Sequence, residues 1–218
     1  MKNVSGGLPV VCGCEVRGRQ WIKGEHGYFA GSIGTGGGGS SGGAKAEKGL
    51  DNSEKDDIIK AEIEEKFKKY VPNREERKEI IKKGTSAEKP VFDNGSLAKY
   101  YQYTEKESGY YDVVMHGKSD AVSFYGKLID YQTLGAIILA RSDYQKGTPI
   151  RLFSCSTGKG ENSFAESLSK MLGVEVKAPN QDIHISLPIN GKSKYYIQSG
   201  KGKRDGDWVI FGERSNKK

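Results

Sequence analysis

The feature that most constrains the fold of this chain is an alternation of short apolar strands and amphipathic helices in its second half. Residues 150–153 form an apolar run with turn-forming residues on both sides, and residues 163–172 then repeat apolar side chains at helical spacing. Gly173 ends this helix, and residues 174–176 start another strand. Strands separated by helices predict an α/β fold, with a mainly parallel sheet and helices on both faces.

Weaker patterns complete the predicted domain. Strands are predicted at residues 110–115, 122–124 and 182–187, helices at 96–103 and 131–140, and a late antiparallel pair of strands at 195–198 and 208–211. Before them, apolar residues at helical spacing predict charged helices over residues 52–70 and 73–83. The apolar stripes of these helices are narrow, which indicates a solvated support for the domain rather than a functional site.

Composition divides the chain into segments. Residues 1–30 show neither a helical nor a strand period and are expected to be a poorly ordered N-terminal remnant. Residues 31–50 begin with eight glycines in thirteen positions, which predicts a flexible Gly/Ser-rich linker. The charged helical segment then spans residues 51–89, the α/β domain residues 90–212, and a basic tail residues 213–218.

The net charge of +7 comes mainly from the last 29 residues, which carry eight basic and three acidic side chains. The segment with the strongest apolar pattern is close to neutral. A nucleic-acid partner is therefore not expected, because phosphate binding needs basic side chains on a folded face. No apolar run approaches the ~18 residues of a membrane span, and no signal peptide is evident, so no membrane partner is expected either. The expected location is the cytoplasm, or a target cell into which the protein is delivered.

Two reactive side chains directly follow predicted strands. His116 comes directly after the strand at 110–115, and Cys155 is the second residue after the strand at 150–153. The carboxyl ends of parallel strands meet at one edge of a sheet, so imidazole and thiol are expected to lie close together although 39 residues separate them. Because a thiolate is a nucleophile and a nearby histidine takes its proton, Cys155 is predicted as the nucleophile and His116 as the general base and acid.

The residues around this pair predict an oxyanion site. Gly117 follows the histidine, and glycine lets a substrate carbonyl approach the backbone closely. The N–H groups of Gly117 and Cys155 are the candidate donors to a developing oxyanion. Ser154, Ser156 and Gly158, which flank the cysteine, are predicted to contribute to substrate and oxyanion binding.

This arrangement resembles the caspase-like cysteine peptidase fold, the group that includes caspases, gingipains, separase and bacterial CHAT domains. The resemblance lies in a strand ending in His-Gly, a helix, and a strand ending in a Ser-Cys-x-Thr-Gly turn, and it covers roughly residues 110–180. It implies that His116 and Cys155 are catalytic, that Gly117 lies in the oxyanion hole, and that the protein is a cysteine endopeptidase without a cofactor. The Gln-Ala-Cys-x-Gly form of true caspases is missing, so cleavage after aspartate is not implied.

The C-terminal unit is also similar to toxin modules at the ends of bacterial polymorphic toxins, in which His-Gly, Ser-Cys-Asn-Thr-Gly and an alanine-containing helix recur. Here the third motif is Ser-Phe-Ala-Glu-Ser-Leu at residues 163–168. The N-terminal stretch at residues 17–32 is faintly similar to the tails of phage head-morphogenesis proteins. These resemblances imply a bacterial, phage-associated effector or toxin that acts on a protein substrate and is paired with an immunity protein.

The sequence also allows other functions. The chain could be a non-catalytic binding or structural domain of a phage or mobile-element protein, since a buried cysteine is often a small hydrophobic residue. It could also be a toxin of another chemistry. Against an ADP-ribosyltransferase, no Glu-x-Glu follows the late strands, and against a nuclease, the basic residues do not surround a histidine or an acidic cluster.

The remaining cysteines and histidines do not predict a metal site. Cys12, Cys14 and Cys155 are interpreted as thiols in a reducing compartment, because Cys12 and Cys14 are too close in sequence to bridge each other well. One Cys-x-Cys with the distant His26 lacks a fourth ligand. His184 alternates with isoleucines along the strand predicted at 182–187, and its side chain is therefore expected to point to solvent.

Overall fold

The computed structural model describes residues 52–87, 91–92, 97, 101–102, 104–185, 195–199 and 204–212, with residues 52–56 as backbone only. Its helices are α1 (Asn52–Lys68), α2 (Arg74–Thr85), α3 (Tyr131–Ala140) and α4 (Phe164–Leu172). Its strands are β1 (Tyr111–Val114), β2 (His116–Lys118), β3 (Ala121–Phe124), β4 (Lys127–Ile129), β5 (Ile150–Phe153), β6 (Val176–Pro179), β7 (Asp182–Ile185), β8 (Tyr195–Gln198) and β9 (Trp208–Phe211). The predicted N-terminal remnant, the linker and the basic tail lie outside the described residues, as does most of the helix predicted at 96–103.

The central sheet has the strand order β1-β5-β6-β9. Strands β1, β5 and β6 are parallel, and β9 is antiparallel to β6, so the predicted mainly parallel sheet is confirmed. The predicted antiparallel pairing of the two late strands is wrong, because β8 pairs with β7 while β9 joins the central sheet. In the sequence, the hairpin β7–β8 therefore comes between β6 and β9, which are neighbours in the central sheet.

Local capping explains where the helices begin and end. The Ser163 side chain accepts a hydrogen bond from the backbone N–H of Glu166 at the start of α4, and Gly173 ends the helix in a left-handed conformation with φ of 64°. Asp130 caps α3 through the N–H of Thr133. The predicted bounds of both helices are confirmed to within one residue.

All four helices pack on one face of the central sheet. Alternate residues of the strands, such as Val113 and Leu152, point into this core, where they meet Phe67 of α1, Ile80 of α2 and residues of α3 and α4. The charged helices α1 and α2 thus belong to the folded body. Helix α2 approaches α3 so closely that a side chain at Gly84 would overlap Ile137, which explains the glycine inside this helix.

The opposite face of the sheet has a second, smaller core. Val114, Phe153 and Cys155 point into it, and the hairpin β7–β8 covers them with three isoleucines, Ile183, Ile185 and Ile197. Leu97 and Tyr101, both helical, also pack here, so this face carries a helical element as well as the hairpin.

A three-stranded antiparallel sheet, β2-β3-β4, follows β1 directly. The sequence predicts only the middle of these strands, because β2 and β4 are three residues long and carry little apolar alternation. Within the described part of the chain, no helix is long and apolar enough to cross a membrane.

Candidate active site

His116 and Cys155 lie at equivalent positions past the ends of two adjacent parallel strands. Strands β1 and β5 pair in register with Val114 opposite Phe153, and the N–H of Met115 donates to the Phe153 carbonyl oxygen at 3.2 Å. His116 and Cys155 each follow their paired residue by two positions. Because neighbouring strands are about 4.8 Å apart, this register brings the two residues to the same edge of the sheet.

The Cys155 thiol is covered. Its residue is 1% exposed, and Sγ donates to the carbonyl oxygen of Ile183 at a distance of 3.8 Å. The side chain packs in the second core, on the opposite face from Phe164 and Leu168 of α4. His116 is half-buried. In this conformation, Cys155 Sγ is therefore closed to a substrate by β7.

Gly117 packs directly against the turn that carries the cysteine. A β-carbon at this position would overlap Oγ of Ser154 and lie 2.9 Å from Cγ2 of Thr157. Ser154 Oγ is completely buried and has no hydrogen-bond partner among the residues that the structure describes. Only glycine fits here, and the chain after β1 can therefore cross over the cysteine turn.

The backbone amides after Cys155 are already hydrogen-bonded. The N–H of Ser156 donates to the Gln181 carbonyl, and the N–H of Gly158 donates to the Pro179 carbonyl, both at 2.9 Å. Ser156 has a left-handed backbone with φ of 56°, and its hydroxyl donates to Asp182 Oδ1 at 2.9 Å. Ser156 and Gly158, which the sequence predicts to contribute to substrate and oxyanion binding, thus use their N–H groups to fix the turn.

A buried ion pair joins β1 and β5, four residues before His116 and Cys155. Arg151 of β5 is 1% exposed, and its guanidinium makes two hydrogen bonds to the Asp112 carboxylate of β1, at 2.6 and 2.8 Å. Glu107 and the hydroxyl of Tyr101 complete the pair. These contacts join β1 to β5 through side chains as well as through the backbone, and so fix the two strands that carry His116 and Cys155.

A family profile for a domain of unknown function, DUF8616, matches residues 85–204. The chain belongs to the DUF8616 family. The chain matches no curated protein and no solved structure. The matched residues contain β1 to β8, and hence His116, Cys155 and the hairpin that covers the cysteine, while β9 lies beyond them.

Sequence patterns missed the residues of the DUF8616 domain that lie over the cysteine. Alternation of polar and apolar residues predicts β7, but nothing in the sequence places Gln181, Asp182 and Ile183 against the turn at 154–158. The signal that could have drawn attention to them is the short connection between β6 and β7, which returns the chain at once to the carboxyl edge of the sheet.

The expectation that His184 points to solvent is wrong. Its residue is 3% exposed, and its ring stacks on Tyr196 of β8 with centroids 5.3 Å apart and planes at 6°. Strand β7 is covered on both faces, so alternation does not bring this side chain to water. Nδ1 has no hydrogen-bond partner in the described part of the DUF8616 domain. Burial lowers the pKa of His184, and the nearby Asp182 opposes this shift only in part.

We expect acid to destabilise the protein through His184. Because the folded-state pKa is lowered, the unfolded chain binds more protons once the pH falls below the ordinary histidine value of 6.5. The free energy of unfolding should therefore fall from pH 7 toward pH 5, with a slope of at most about 1.4 kcal/mol per pH unit from this group. Urea denaturation across this range should show the decline, and His184→Phe, which keeps an aromatic ring on Tyr196, should show less of it. Identical slopes would contradict the assignment.

Among the residues that the structure describes, no group of three or more histidine, cysteine, aspartate or glutamate side chains is arranged to hold a metal ion.

Proposed function

We propose that this chain carries a caspase-like cysteine endopeptidase domain in which Cys155 is the nucleophile and His116 the general base and acid. One observation carries the proposal: the register of β1 and β5 brings both residues to the same edge of the sheet, each two positions past a paired residue. The His-Gly and Ser-Cys-x-Thr-Gly motifs follow β1 and β5 in the chain order that the resemblance to caspase-like peptidases implies, which supports the proposal.

The proposed reaction is peptide hydrolysis in two steps. The Cys155 thiol gives its proton to His116, and the thiolate forms a bond to the substrate carbonyl carbon. The tetrahedral oxyanion accepts hydrogen bonds from the N–H groups of Gly117 and Cys155. The C–N bond then breaks, and the amine leaves with the proton from His116. Water, activated by His116, hydrolyses the resulting thioester and releases the acid and the free thiol.

The resemblance to polymorphic-toxin modules indicates the kind of protein in which this activity would occur. We propose that the domain is an effector or toxin of bacterial or phage-associated origin, with a protein as its substrate and an immunity protein as its inhibitor. The flat charge balance of residues 84–189, which carry one more acidic than basic side chain, supports a protein rather than a nucleic acid as the target.

A second candidate function is binding without catalysis. It is favoured by the burial of Cys155, which is 1% exposed and packs with isoleucine and aromatic side chains as a small hydrophobic residue does. In that case, the domain would present its surface to a partner protein, and the thiol would contribute only to the second core.

Peptidase activity is tested by incubating the full chain with a mixture of denatured proteins and identifying new peptide termini by mass spectrometry. We expect cleavage by the wild type to fall by about 10²–10⁴-fold in Cys155→Ala and His116→Ala, because each removes a group that acts in the transition state. The control Cys14→Ala should cleave as the wild type does. Equal cleavage by Cys155→Ala would refute the proposal. So would the absence of cleavage by both the wild type and Asp182→Ala, in which the contact over the cysteine is weakened.

A further inference from the structure

The hairpin β7–β8 is not part of the central sheet, although it comes between two of that sheet's strands, β6 and β9, in the sequence. Within the described residues, β7 pairs only with β8, whereas β6 and β9, which precede and follow the hairpin, pair with each other over four residues. Movement of the hairpin would therefore break no backbone hydrogen bond between strands of the central sheet.

The base of the hairpin is fixed to that sheet. The N–H of Asn180 donates to the Asp207 carbonyl at 3.0 Å, and the N–H of Asp207 donates to the Asn180 side-chain oxygen at 2.8 Å. These reciprocal bonds lie just after β6 and just before β9. They join the two ends of the inserted segment, so the hairpin is anchored at its base independently of what lies beneath it.

The contacts between the hairpin and the cysteine turn, residues 154–158, are local. They include the backbone bond from Ser156 to Gln181, the hydroxyl bond from Ser156 to Asp182, and the thiol contact from Cys155 to Ile183. Apolar packing adds Ile183, Ile185 and Ile197 of the hairpin to the second core, and the Tyr195 ring packs on that of Phe153 with centroids 5.6 Å apart. The Asp182 carboxylate thus provides a side-chain hydrogen bond that holds the hairpin on the cysteine turn.

From this arrangement, we propose that the hairpin β7–β8 is an autoinhibitory cover that opens about its base at Asn180 and Asp207 to expose Cys155. This proposal rests on the proposed function, because a cover regulates the thiol only if the thiol is a nucleophile. Closed, the hairpin withholds the cysteine from substrates, and a partner that binds the open hairpin would activate the domain. Asp182 is the positioning residue, since its carboxylate holds Ser156 of the cysteine turn.

Alkylation of Cys155 by iodoacetamide tests directly whether the hairpin opens. The full chain carrying Cys12→Ser and Cys14→Ser retains Cys155 as its single thiol. Its reaction rate measures how often the cover opens. We expect Asp182→Ala to raise this rate about ten-fold or more, because it removes a hydrogen bond to a charged acceptor. Asp182→Asn, which keeps an acceptor oxygen, should react at a rate closer to that of the parent.

A matched control separates local opening from general destabilisation. Ser169 of α4 donates to the carbonyl oxygens of Val174 and Phe211, whereas α4 meets the cysteine turn at its other end, through the bond from the Ala165 N–H to the Thr157 carbonyl oxygen. If opening is local, Ser169→Ala should change the alkylation rate of Cys155 by no more than about two-fold. Equal acceleration by both variants would overturn the proposal, as would a parent protein that reacts as fast as an unfolded peptide containing this cysteine.

The two proposals fail in different ways. Alkylation of Cys155 depends on opening and does not require that the thiol hydrolyse a peptide. If Asp182→Ala accelerates alkylation but no variant cleaves protein, the cover stands and the peptidase fails. If cleavage depends on Cys155 but Asp182→Ala leaves alkylation unchanged, the peptidase stands and the cover fails.

Discussion

Replacing Arg151 with alanine is expected to lower the free energy of unfolding by about 3–5 kcal/mol. The guanidinium is 1% exposed and satisfies both oxygens of the Asp112 carboxylate, which is itself buried. Burial alone would lower the pKa of Arg151, but the hydrogen bonds and charge of Asp112 more than offset it and raise the pKa. The alanine variant would leave the Asp112 charge buried without the guanidinium, with only the Tyr101 hydroxyl at 2.7 Å and the Lys106 ammonium at 3.9 Å among the described groups that face it, which is the costly outcome.

Urea denaturation measures this loss of stability, and two further variants serve as comparisons for it. Lys170→Ala removes an exposed pair with Glu166 on α4 and should cost only about 0.3–0.5 kcal/mol. The double variant Arg151→Met with Asp112→Leu removes both charges and should be less destabilised than Arg151→Ala. A loss of less than about 1 kcal/mol in Arg151→Ala would show that this pair does not hold β1 against β5.

Gly117→Ala is expected to be the second strongly destabilising change, with a loss of about 1–3 kcal/mol. The added β-carbon would overlap the Ser154 hydroxyl and press on Thr157, and both of these residues are completely buried. The cost arises at the point where the chain crosses the cysteine turn, so the same substitution should also disturb the position of Cys155.

Two comparisons isolate this contact by urea denaturation. Adding Ser154→Gly to Gly117→Ala removes the overlapping group, so the two substitutions should be coupled by at least about 1 kcal/mol. Gly135→Ala in α3 is the control. There the new β-carbon would lie 2.9 Å from the end of the flexible, exposed Met171 side chain and 3.4 Å from Leu168 Cδ1, and alanine favours a helix, so stability should be unchanged or rise by up to about 1 kcal/mol. Equal losses in Gly117→Ala and Gly135→Ala would contradict the packing described for Gly117.

Elements with strong local signals could be predicted from the sequence. Helix α4 has a serine cap, an apolar stripe and a terminal glycine, and β5 is an apolar run between turns, so each contains the information for its own bounds. The parallel pairing of β1 with β5 also follows, because strands joined through a helix are parallel. These elements alone place His116 and Cys155 at one edge.

Long-range pairing could not be predicted in this way. Whether β8 or β9 pairs with β6 depends on contacts between segments that are distant in sequence, and both strands have similar aromatic and aliphatic patterns. The burial of His184 was missed because alternation reports which residues share a face and does not reveal whether the second face is covered. The covering of Cys155 arises from residues 26 to 28 positions later, for the same reason.

The most direct test of the account is the pH dependence of Cys155 alkylation in the Cys12→Ser, Cys14→Ser background, with and without His116→Ala. An ordinary thiol with a pKa of about 8.5 reacts more than about a hundred-fold slower at pH 6 than at pH 9. If His116 takes the thiol proton, the wild-type rate should fall much less over this range, and His116→Ala should restore the steep decline. A steep decline in both proteins would contradict a working pair of His116 and Cys155, and the cysteine would then be a structural residue of the second core.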